Sequence, residues 1–264
     1  MSDLMSLSGM LPWLTEARLV GDGAVAFARV HTDTRTLQAG DLFVALRGEH
    51  FDAQAFLPQA AAQGAAAALA QGGLAGAGLP GIEVDDPLAA LGALAAGWRA
   101  QFVLPLIAVT GSNGKTIVKE WLYQLLQPDF HIVRSPKSYN SQIGVPLSIW
   151  QMNAGHSLGI FEAGISQSGE MTKLEKIIQP TIGVFTNIGE AHSEGFGSIQ
   201  QKEEEKRLLF NNAVLPASLD IIEIKSSIEK TTISAKKKKM LTPVFSIEIP
   251  FTDAASIQNA ITCW

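Results

Sequence analysis

The sequence predicts an α/β protein with a small N-terminal α/β domain and a second domain built on a mostly parallel sheet. Short apolar runs typical of strands alternate with runs whose apolar residues recur at helical spacing, in both parts of the chain. Residue usage also changes near residue 100: residues 1–100 hold 24 of the 34 alanines and no lysine, whereas residues 101–264 hold all 13 lysines. We therefore expect domains at 1–102 and 103–264, and the break also indicates a chimeric origin.

The first part supplies three local signals. "GDLFVAL", residues 40–46, predicts a buried strand. "AFLPQAAAQGAAAALA", residues 55–70, predicts a helix that Gly64 ends, followed by a strand of small residues. "GIEVDDPLAALGALAAGWRA", residues 81–100, repeats the pattern as a strand and then a helix from Pro87. These elements indicate α/β organisation.

The second part alternates strand and helix more clearly. The expected strands are LPLIAVT (104–110), SLGIFEAG (157–164) and TIGVFTNIG (181–189), and the expected helices are KTIVKEWLYQLLQ (115–127), GEMTKLEKIIQ (169–179) and QQKEEEKRLLF (200–210). We interpret most of the last, highly charged helix as a solvated face with paired charges. Alternation of this kind predicts a parallel sheet with ligands at the carboxyl ends of its strands.

Composition excludes several classes of protein. The net charge is −5 and no broad basic face is indicated, so nucleic acid is not an expected partner. The single cysteine, Cys263, cannot form an internal disulfide, which is typical of a reducing compartment. No signal peptide or membrane-inserted segment is predicted, because the first residues lack a basic region and the apolar runs are interrupted. We expect a cytoplasmic protein.

A glycine-lysine-threonine turn joins the strand at 104–110 to the following helix. Gly111 and Gly114 allow backbone N–H groups to converge on an anion at the positive end of the helix dipole. Lys115 then neutralises phosphate charge and Thr116 ligates magnesium. Val109 stands where the usual GxxxxGK[ST] pattern has its first glycine. The turn predicts a phosphate-binding loop with this one departure.

Two further polar groups follow strands of the same sheet. Glu162 ends the strand at 157–164, and His192 lies just past the strand at 181–189. A carboxylate and an imidazole near the phosphate turn are candidate magnesium ligands, although magnesium prefers oxygen. Taken alone, a histidine in this position is more often a polar loop residue.

The motifs "TGSNGKT", "YNSQIGVPL", "FEAGISQSGE" and "TNIGEAHSEGFGS", in this order, resemble the central ATPase domain of the Mur ligases, the ATP-dependent amide-forming enzymes of peptidoglycan synthesis. "TDTRTLQAGDLFVALRGEHFDAQAF" resembles the uridine-nucleotide-binding N-terminal domain of the same family. Within it, "AHSEGFGS" is more similar to the branch that adds D-alanyl-D-alanine than to the branch that adds the third, diamino acid residue.

The resemblance implies ATP and Mg²⁺ as cofactors and assigns site residues. The implied nucleotide-binding residues are Gly111, Ser112, Asn113, Gly114, Lys115, Thr116 and Asn140. The implied metal site comprises Thr116, Glu162, His192 and Lys206, the last at the position of a carbamoylated lysine in the family, and catalytic roles fall on Lys115, His192 and Lys206. The implied sugar-nucleotide residues are Asp33, Thr34 and Arg35. The chain departs from the family at Thr34, at Gln54 and Ala55 in place of His-Asp, and at Ser141 in place of a second asparagine.

The implied reaction joins D-alanyl-D-alanine to UDP-N-acetylmuramoyl-tripeptide through an acyl phosphate, in a monomeric protein that inserts into no membrane. After Phe210 the match thins, the lysines at 236–239 are interpreted as a solvated turn, and we expect the family's third domain to be missing. We therefore expect little or no ligase activity from this chain by itself. The alternatives are a nucleotide-binding fragment without catalysis, a diamino-acid-adding Mur ligase, and a folylpolyglutamate synthase relative, against which the N-terminal motif argues.

Overall fold

The computed structural model describes residues 4–48, 51–188, 195–214, 219–226, 230–237, 245–249 and 253–263. Its strands are β1 (Met5–Ser6), β2 (Arg18–Val20), β3 (Ala26–Phe27), β4 (Val30–His31), β5 (Leu42–Val44), β6 (Ala67–Ala70), β7 (Gly81–Glu83), β8 (Leu106–Thr110), β9 (Ile132–Arg134), β10 (Leu158–Glu162), β11 (Ile182–Phe185), β12 (Leu219–Ser226), β13 (Thr231–Lys237) and β14 (Phe245–Ile249). Its α-helices are α1 (Leu7–Met10), α2 (Leu57–Ala62), α3 (Leu74–Ala77), α4 (Pro87–Arg99), α5 (Lys115–Leu126), α6 (Gly144–Ile149), α7 (Glu170–Ile178), α8 (Ile199–Arg207) and α9 (Ala254–Cys263). Short 3₁₀ helices cover Leu11–Trp13, Ala53–Phe56 and Leu208–Phe210.

The chain divides into two compact units. The first unit comprises Met1–Val103, Ser141–Gly155 and Lys176–Ile178, and the second comprises Leu104–Asn140, His156–Glu175 and Gln179–Trp264. The α/β class predicted from the sequence is confirmed in both units.

The first unit contains a sheet in the order β2-β7-β6-β5-β4, in which β4 to β7 pair in parallel and β2 is antiparallel to β7. Strand β6 is alanine-rich and completely buried, because small side chains let α2 and α3 lie close to the sheet. Helix α4 begins where predicted, since the Asp86 carboxylate accepts hydrogen bonds from the N–H groups of Leu88 and Ala89. Trp98 near the end of α4 stacks on Trp150, with 5.0 Å between the ring centroids.

The second unit contains a fully parallel sheet in the order β11-β8-β10-β9. Its core is aliphatic and includes Val109 on β8, Val118 on α5 and Ile160 on β10. Because the strands are parallel, their carboxyl ends meet at one edge of the sheet. Thr110 and Glu162 are the last residues of β8 and β10, so the segments predicted to carry polar site residues leave the sheet at this edge.

Helix α8 is only partly a solvated face. Arg207 pairs with Glu203 one turn earlier at 2.7 Å on the exposed side, as expected for such a face. Lys202, Glu205 and Lys206 are buried, however, so the interpretation is wrong for this side of the helix. A helix can bury charged residues when each finds partners, as Glu205 does with the N–H groups of Gly169 and Met171 and Lys206 does with the Gly111 carbonyl.

Past residue 218 the described elements are an antiparallel sheet, β12-β13-β14, and helix α9. Lys236 and Lys237 lie within β13 opposite Asp220 and Leu219, so the predicted turn is wrong for these two lysines, whose backbone pairs in the ladder. Lys238 and Lys239 lie outside the described residues. In the part of the chain that the structure describes, no helix combines the length and apolarity that a bilayer crossing needs.

Candidate ATP and sugar-nucleotide sites

The turn between β8 and α5 requires glycine at two positions. Gly111 has φ +146° and Gly114 has φ +79°, both in the region that favours glycine. A methyl group on Gly111 would overlap the Thr186 hydroxyl, and one on Gly114 would overlap the Asn259 side-chain oxygen. The turn therefore brings its backbone close to the segments that follow β11 and that form α9.

Hydrogen bonds hold the turn in this shape. The N–H groups of Ser112 and Asn113 donate to the backbone and side-chain oxygens of Asn187, at 2.9 and 3.0 Å. The Thr186 hydroxyl donates to the Asn113 carbonyl at 2.6 Å. Lys115 Nζ folds back over the turn and donates to the Gly111 carbonyl at 3.0 Å. A flexible cation thus lies over a fixed loop at the N-terminus of α5, an arrangement suited to a phosphate group.

Glu162 is the buried acid of the site. Its side chain has no exposed surface, and Oε2 accepts a hydrogen bond of 2.9 Å from the Thr116 hydroxyl. Oε1 accepts a hydrogen bond of 3.3 Å from the side-chain amide of Asn140. Burial raises the pKa of Glu162, while the Thr116 hydrogen bond and the charges of Lys119 and Lys115 oppose that rise. The structure therefore brings together Thr116, Asn140 and Glu162, which the sequence nominated separately.

Lys206 approaches the same turn from α8. Its Nζ donates to the Gly111 carbonyl at 3.2 Å, and its side chain is almost completely buried. Burial, followed by the charges of Lys115 and Lys202, lowers the pKa of Lys206 to about 8. Burial also lowers the pKa values of Lys115 and Lys202. Several cations that repel one another around Gly111 create a strong preference for an anion.

The metal site predicted from the sequence has two oxygen donors, Thr116 and Glu162, among the residues that the structure describes. The Thr116 hydroxyl and the Glu162 carboxylate supply hard oxygen donors that touch each other, and these are the donors magnesium prefers. His192 lies outside the described residues. Among the residues that are described, no three His, Cys, Asp or Glu side chains form a metal-binding cluster. The oxygen donors fit one magnesium ion that keeps most of its ligands from water and phosphate.

Sequence reasoning missed four residues that shape this site. Thr186 and Asn187 follow β11, so the strand-end rule that selected Glu162 could have selected them too. Glu205 accepts hydrogen bonds from the N–H groups of Gly169 (2.7 Å) and Met171 (3.3 Å) and so anchors α8 to the start of α7. No sequence pattern indicates the role of Glu205. The same holds for Lys119, whose side chain is fully buried behind Glu162.

A separate cavity of about 620 Å³ lies in the first unit. Its wall includes all three predicted sugar-nucleotide residues, and Phe51 and Phe56, whose rings stack at 5.6 Å, lie beside them. The Arg35 guanidinium donates hydrogen bonds to the Asp33 carboxylate from Nε (2.9 Å) and Nη2 (2.6 Å), and these hydrogen bonds lower the pKa of Asp33 to about 2. Gln54 is absent from this wall and lines a neighbouring cavity of about 470 Å³ with Gln71. The larger cavity offers aromatic faces and a cationic group, as a nucleotide requires.

The parallel sheet and the glycine-lysine-threonine turn give the second unit the α/β architecture of the P-loop class. Comparison with known families gives the particular group. Residues 109–260 match the Mur ligase middle domain, and residues 26–99 match the domain described as "Mur ligase family, catalytic domain". The chain belongs to the Mur ligase family, and the family predicted from the motifs is confirmed.

The curated relatives point to one branch. A UDP-N-acetylmuramoyl-tripeptide–D-alanyl-D-alanine ligase of Synechocystis sp. is 41% identical over 169 residues, which is 63% of this chain and 37% of that protein. The ligase of the same name from Haemophilus influenzae is 36% identical over 212 residues, 77% of this chain and 46% of that protein. The predicted similarity to the D-alanyl-D-alanine-adding branch is confirmed. The chain spans less than half the length of these two relatives.

Solved structures agree with this relationship. The crystal structure I of MurF from Acinetobacter baumannii has a TM-score of 0.81 and 26% identity, over 90% of this chain and 58% of that chain. MurF ligase from Thermotoga maritima, crystallised in complex with ADP, shares the fold with a TM-score of 0.78 at 24% identity, over 89% of this chain and 61% of that chain.

Proposed function

We propose that this chain carries the ATP site and the sugar-nucleotide site of an ATP-dependent amide ligase that adds D-alanyl-D-alanine to UDP-N-acetylmuramoyl-tripeptide. The names of the curated relatives support the substrates. The observation that carries the proposal is the convergence on the Gly111–Thr116 turn: Lys115 and Lys206 both contact the Gly111 carbonyl, and Thr116 contacts Glu162. Residues 1–102 form the proposed sugar-nucleotide domain and 103–264 the proposed ATP domain.

In the proposed reaction a carboxylate oxygen of the tripeptide attacks the γ-phosphorus of ATP and releases ADP, leaving an acyl phosphate. The amine of D-alanyl-D-alanine then attacks the acyl carbon, and phosphate leaves with the amine proton passing to a base. Magnesium, when bound, draws charge from the phosphate oxygens during transfer. Thr116 and Glu162 would hold that ion, with His192 and Lys206 completing the metal sites, and Asn140 would hold Glu162 in place.

Lys115 supplies positive charge at the turn. Lys115 can swing from the Gly111 carbonyl to the β and γ phosphates, because a phosphate attracts an ammonium group more strongly than the neutral carbonyls of Gly111 and Ser112 that accept from it. A cation held at the transferring phosphate stabilises charge that develops in the transition state. The backbone of Ser112, Asn113 and Gly114 surrounds the same position. We assign nucleotide binding to these residues together with Gly111, Lys115, Thr116 and Asn140.

The lowered pKa of Lys206 supports its proposed carbamoylation. Only the neutral amine attacks CO₂, forming an N–C bond and releasing a proton, and a pKa of about 8 leaves a useful neutral fraction near pH 7. The product carries a carboxylate in place of a cation. That carboxylate would supply a hard oxygen ligand for the second magnesium ion.

The cavity of the first unit would bind the uridine nucleotide. Its aromatic side chains can stack on a planar base, and the Arg35 guanidinium, bound to Asp33 and otherwise largely exposed, can meet a phosphate. Thr34 is buried beside them. We further propose a monomer acting in the cytoplasm, in keeping with a single cysteine and an ATP cosubstrate.

Calorimetric titration with ATP and magnesium tests the ATP site. We expect saturable binding that Lys115→Ala weakens by about tenfold or more, because a charge-assisted contact is lost, while Lys173→Ala, which changes an exposed lysine, binds normally. Equal affinity of wild type and Lys115→Ala would contradict the proposal. ADP release by this chain alone, in the presence of both UDP-N-acetylmuramoyl-tripeptide and D-alanyl-D-alanine, should be slow or undetectable. Release that depends on both substrates and reaches the rate of a full-length ligase would refute that expectation.

A further inference from the structure

Lys119 is a buried cation that the proposed reaction does not use. It lies one helical turn after Lys115 on α5, and its side chain has no exposed surface. A lysine is rarely buried completely unless its ammonium group is paired. Here Nζ donates to the Ser135 carbonyl at 2.7 Å and to the Lys137 carbonyl, and it lies 3.2 Å from Glu120 Oε1 and 4.0 Å from Glu162 Oε2.

Both carbonyls belong to the loop at residues 135–140, which follows β9. Lys137 has φ +49°, a left-handed conformation that is unfavourable for a residue with a Cβ atom. The contact with Lys119 offsets this strain by binding the Lys137 carbonyl. At the start of the loop, Ser135 N–H donates to the Ile160 carbonyl (3.1 Å) and Ser135 Oγ accepts from Glu162 N–H (3.2 Å). Lys119 therefore fixes a bent loop against the end of β10.

The loop ends at Asn140, whose carbonyl accepts from Gly164 N–H at 2.8 Å and whose amide donates to Glu162 Oε1. The two carboxylate oxygens of Glu162 thus face Asn140 on one side and Thr116 on the other, with the Lys119 charge behind Oε2. Removal of Lys119 leaves the buried Ser135 carbonyl and the Lys137 carbonyl without this donor and removes a full positive charge behind the carboxylate. Loop and carboxylate should then lose their fixed positions together.

We propose that Lys119 is a positioning residue for the metal side of the ATP site. Its ammonium group holds the loop at 135–140 and the Glu162 carboxylate in the geometry that receives magnesium, without itself contacting the nucleotide. This inference rests on the proposed function, because it assigns Glu162 and Asn140 to magnesium-nucleotide binding. Phosphate binding by the turn and by Lys115 does not depend on Lys119.

This division of roles predicts a change in one ratio, the dissociation constant of ATP in EDTA divided by the dissociation constant with excess magnesium. The dissociation constant of ATP is measured by calorimetry with excess magnesium and again with EDTA, for wild type, Lys119→Met, Lys119→Gln and the exposed-lysine control Lys173→Met. Lys119→Gln keeps one donor near the Ser135 carbonyl, so it serves if the methionine variant does not fold. We expect both Lys119 variants to reduce the affinity gained from magnesium by about tenfold, with little change in EDTA.

A purely structural lysine predicts a different result, namely equal losses with and without magnesium, or no loss in a folded variant. Either result overturns the inference while wild-type binding leaves the proposed function intact. If wild type fails to bind ATP, the proposed function fails, and amide hydrogen exchange decides the positioning role. Amide hydrogen exchange at residues 135–140 should then be about tenfold faster in Lys119→Gln than in Lys173→Met. Equal exchange rates in the two variants would overturn the positioning role of Lys119.

Discussion

Replacing Lys206 by methionine should stabilise the folded chain while it weakens the proposed ATP site. The ammonium group is buried next to other cations, and its hydrogen bond goes to the Gly111 carbonyl, which also accepts from Lys115. Methionine has a similar length and carries no charge, and the Gly111 carbonyl keeps one donor. The substitution therefore removes a repulsive charge without leaving that carbonyl unpaired.

The pKa of Lys206 sets the size of the effect. A fall from 10.5 to about 8 corresponds to a penalty of about 3 kcal/mol at pH 7, when each pH unit is worth about 1.4 kcal/mol. Polar groups around the ammonium group offset part of this penalty, so we expect a gain of about 1–2 kcal/mol for the variant. Between pH 8 and 10.5 the unfolded chain holds the Lys206 proton that the folded chain has lost. Wild-type stability therefore rises with pH in this window, and the advantage of the variant shrinks.

The stability gain of Lys206→Met is tested by urea unfolding at pH 7 and pH 9.5 in bicarbonate-free buffer, with circular dichroism as the probe of folding. The difference in unfolding free energy between variant and wild type should fall by about half or more between the two pH values. Calorimetry of the same variant should show weaker magnesium-ATP binding. A variant less stable than wild type at pH 7, or a difference that grows with pH, would refute the electrostatic reasoning.

Two further predictions follow from backbone geometry and from an ion pair. Gly114→Ala should lower the thermal midpoint more than Gly169→Ala, because both positions have positive φ but only the new methyl group at 114 meets Asn259, whereas space is open at 169. Equal midpoints would contradict the close approach of α9. Arg35→Ala should return the pKa of Asp33 from about 2 towards its ordinary value near 3.8, measured by carboxyl carbon NMR, and an unshifted titration would disprove the pairing.

The sequence predicted the parts of the site that local rules determine. A polar residue at the end of a parallel strand must lie at the ligand edge, so Glu162 could be placed near the Lys115 turn before any coordinates. Lys119 could not, because a lysine at this spacing looks the same whether it faces water or two backbone carbonyls of a distant loop. The same applies to Glu205, whose partners are N–H groups at the start of another helix.

The fold beyond the site shows the same limit. Alternating elements predicted β5 to β8, β10, β11 and five of the helices up to residue 210, since each depends on neighbours within one turn or one pleat. The short strands β1 to β4, strand β9 and the short helices α1, α3 and α6 were not predicted. The segment at 141–155 groups with the first unit although its sequence neighbours belong to the second. Trp150 in this segment packs on Trp98, a contact between residues far apart in the chain that no periodicity reports. Packing between residues far apart in the chain is therefore seen only in the folded structure.

The charges around the turn explain why function and stability oppose each other here. Lys115 and Lys206 both donate to the Gly111 carbonyl, Lys119 is buried against Glu162, and burial lowers the pKa values of Lys115 and Lys206. Such an arrangement is unfavourable for the chain alone, because repulsion between cations is strong where water is excluded. A polyphosphate brings the missing negative charge, so binding relieves repulsion already present in the fold. The proposed ATP site would therefore bind through electrostatic preorganisation, and substitutions that stabilise the unliganded fold by removing these charges should weaken ATP binding.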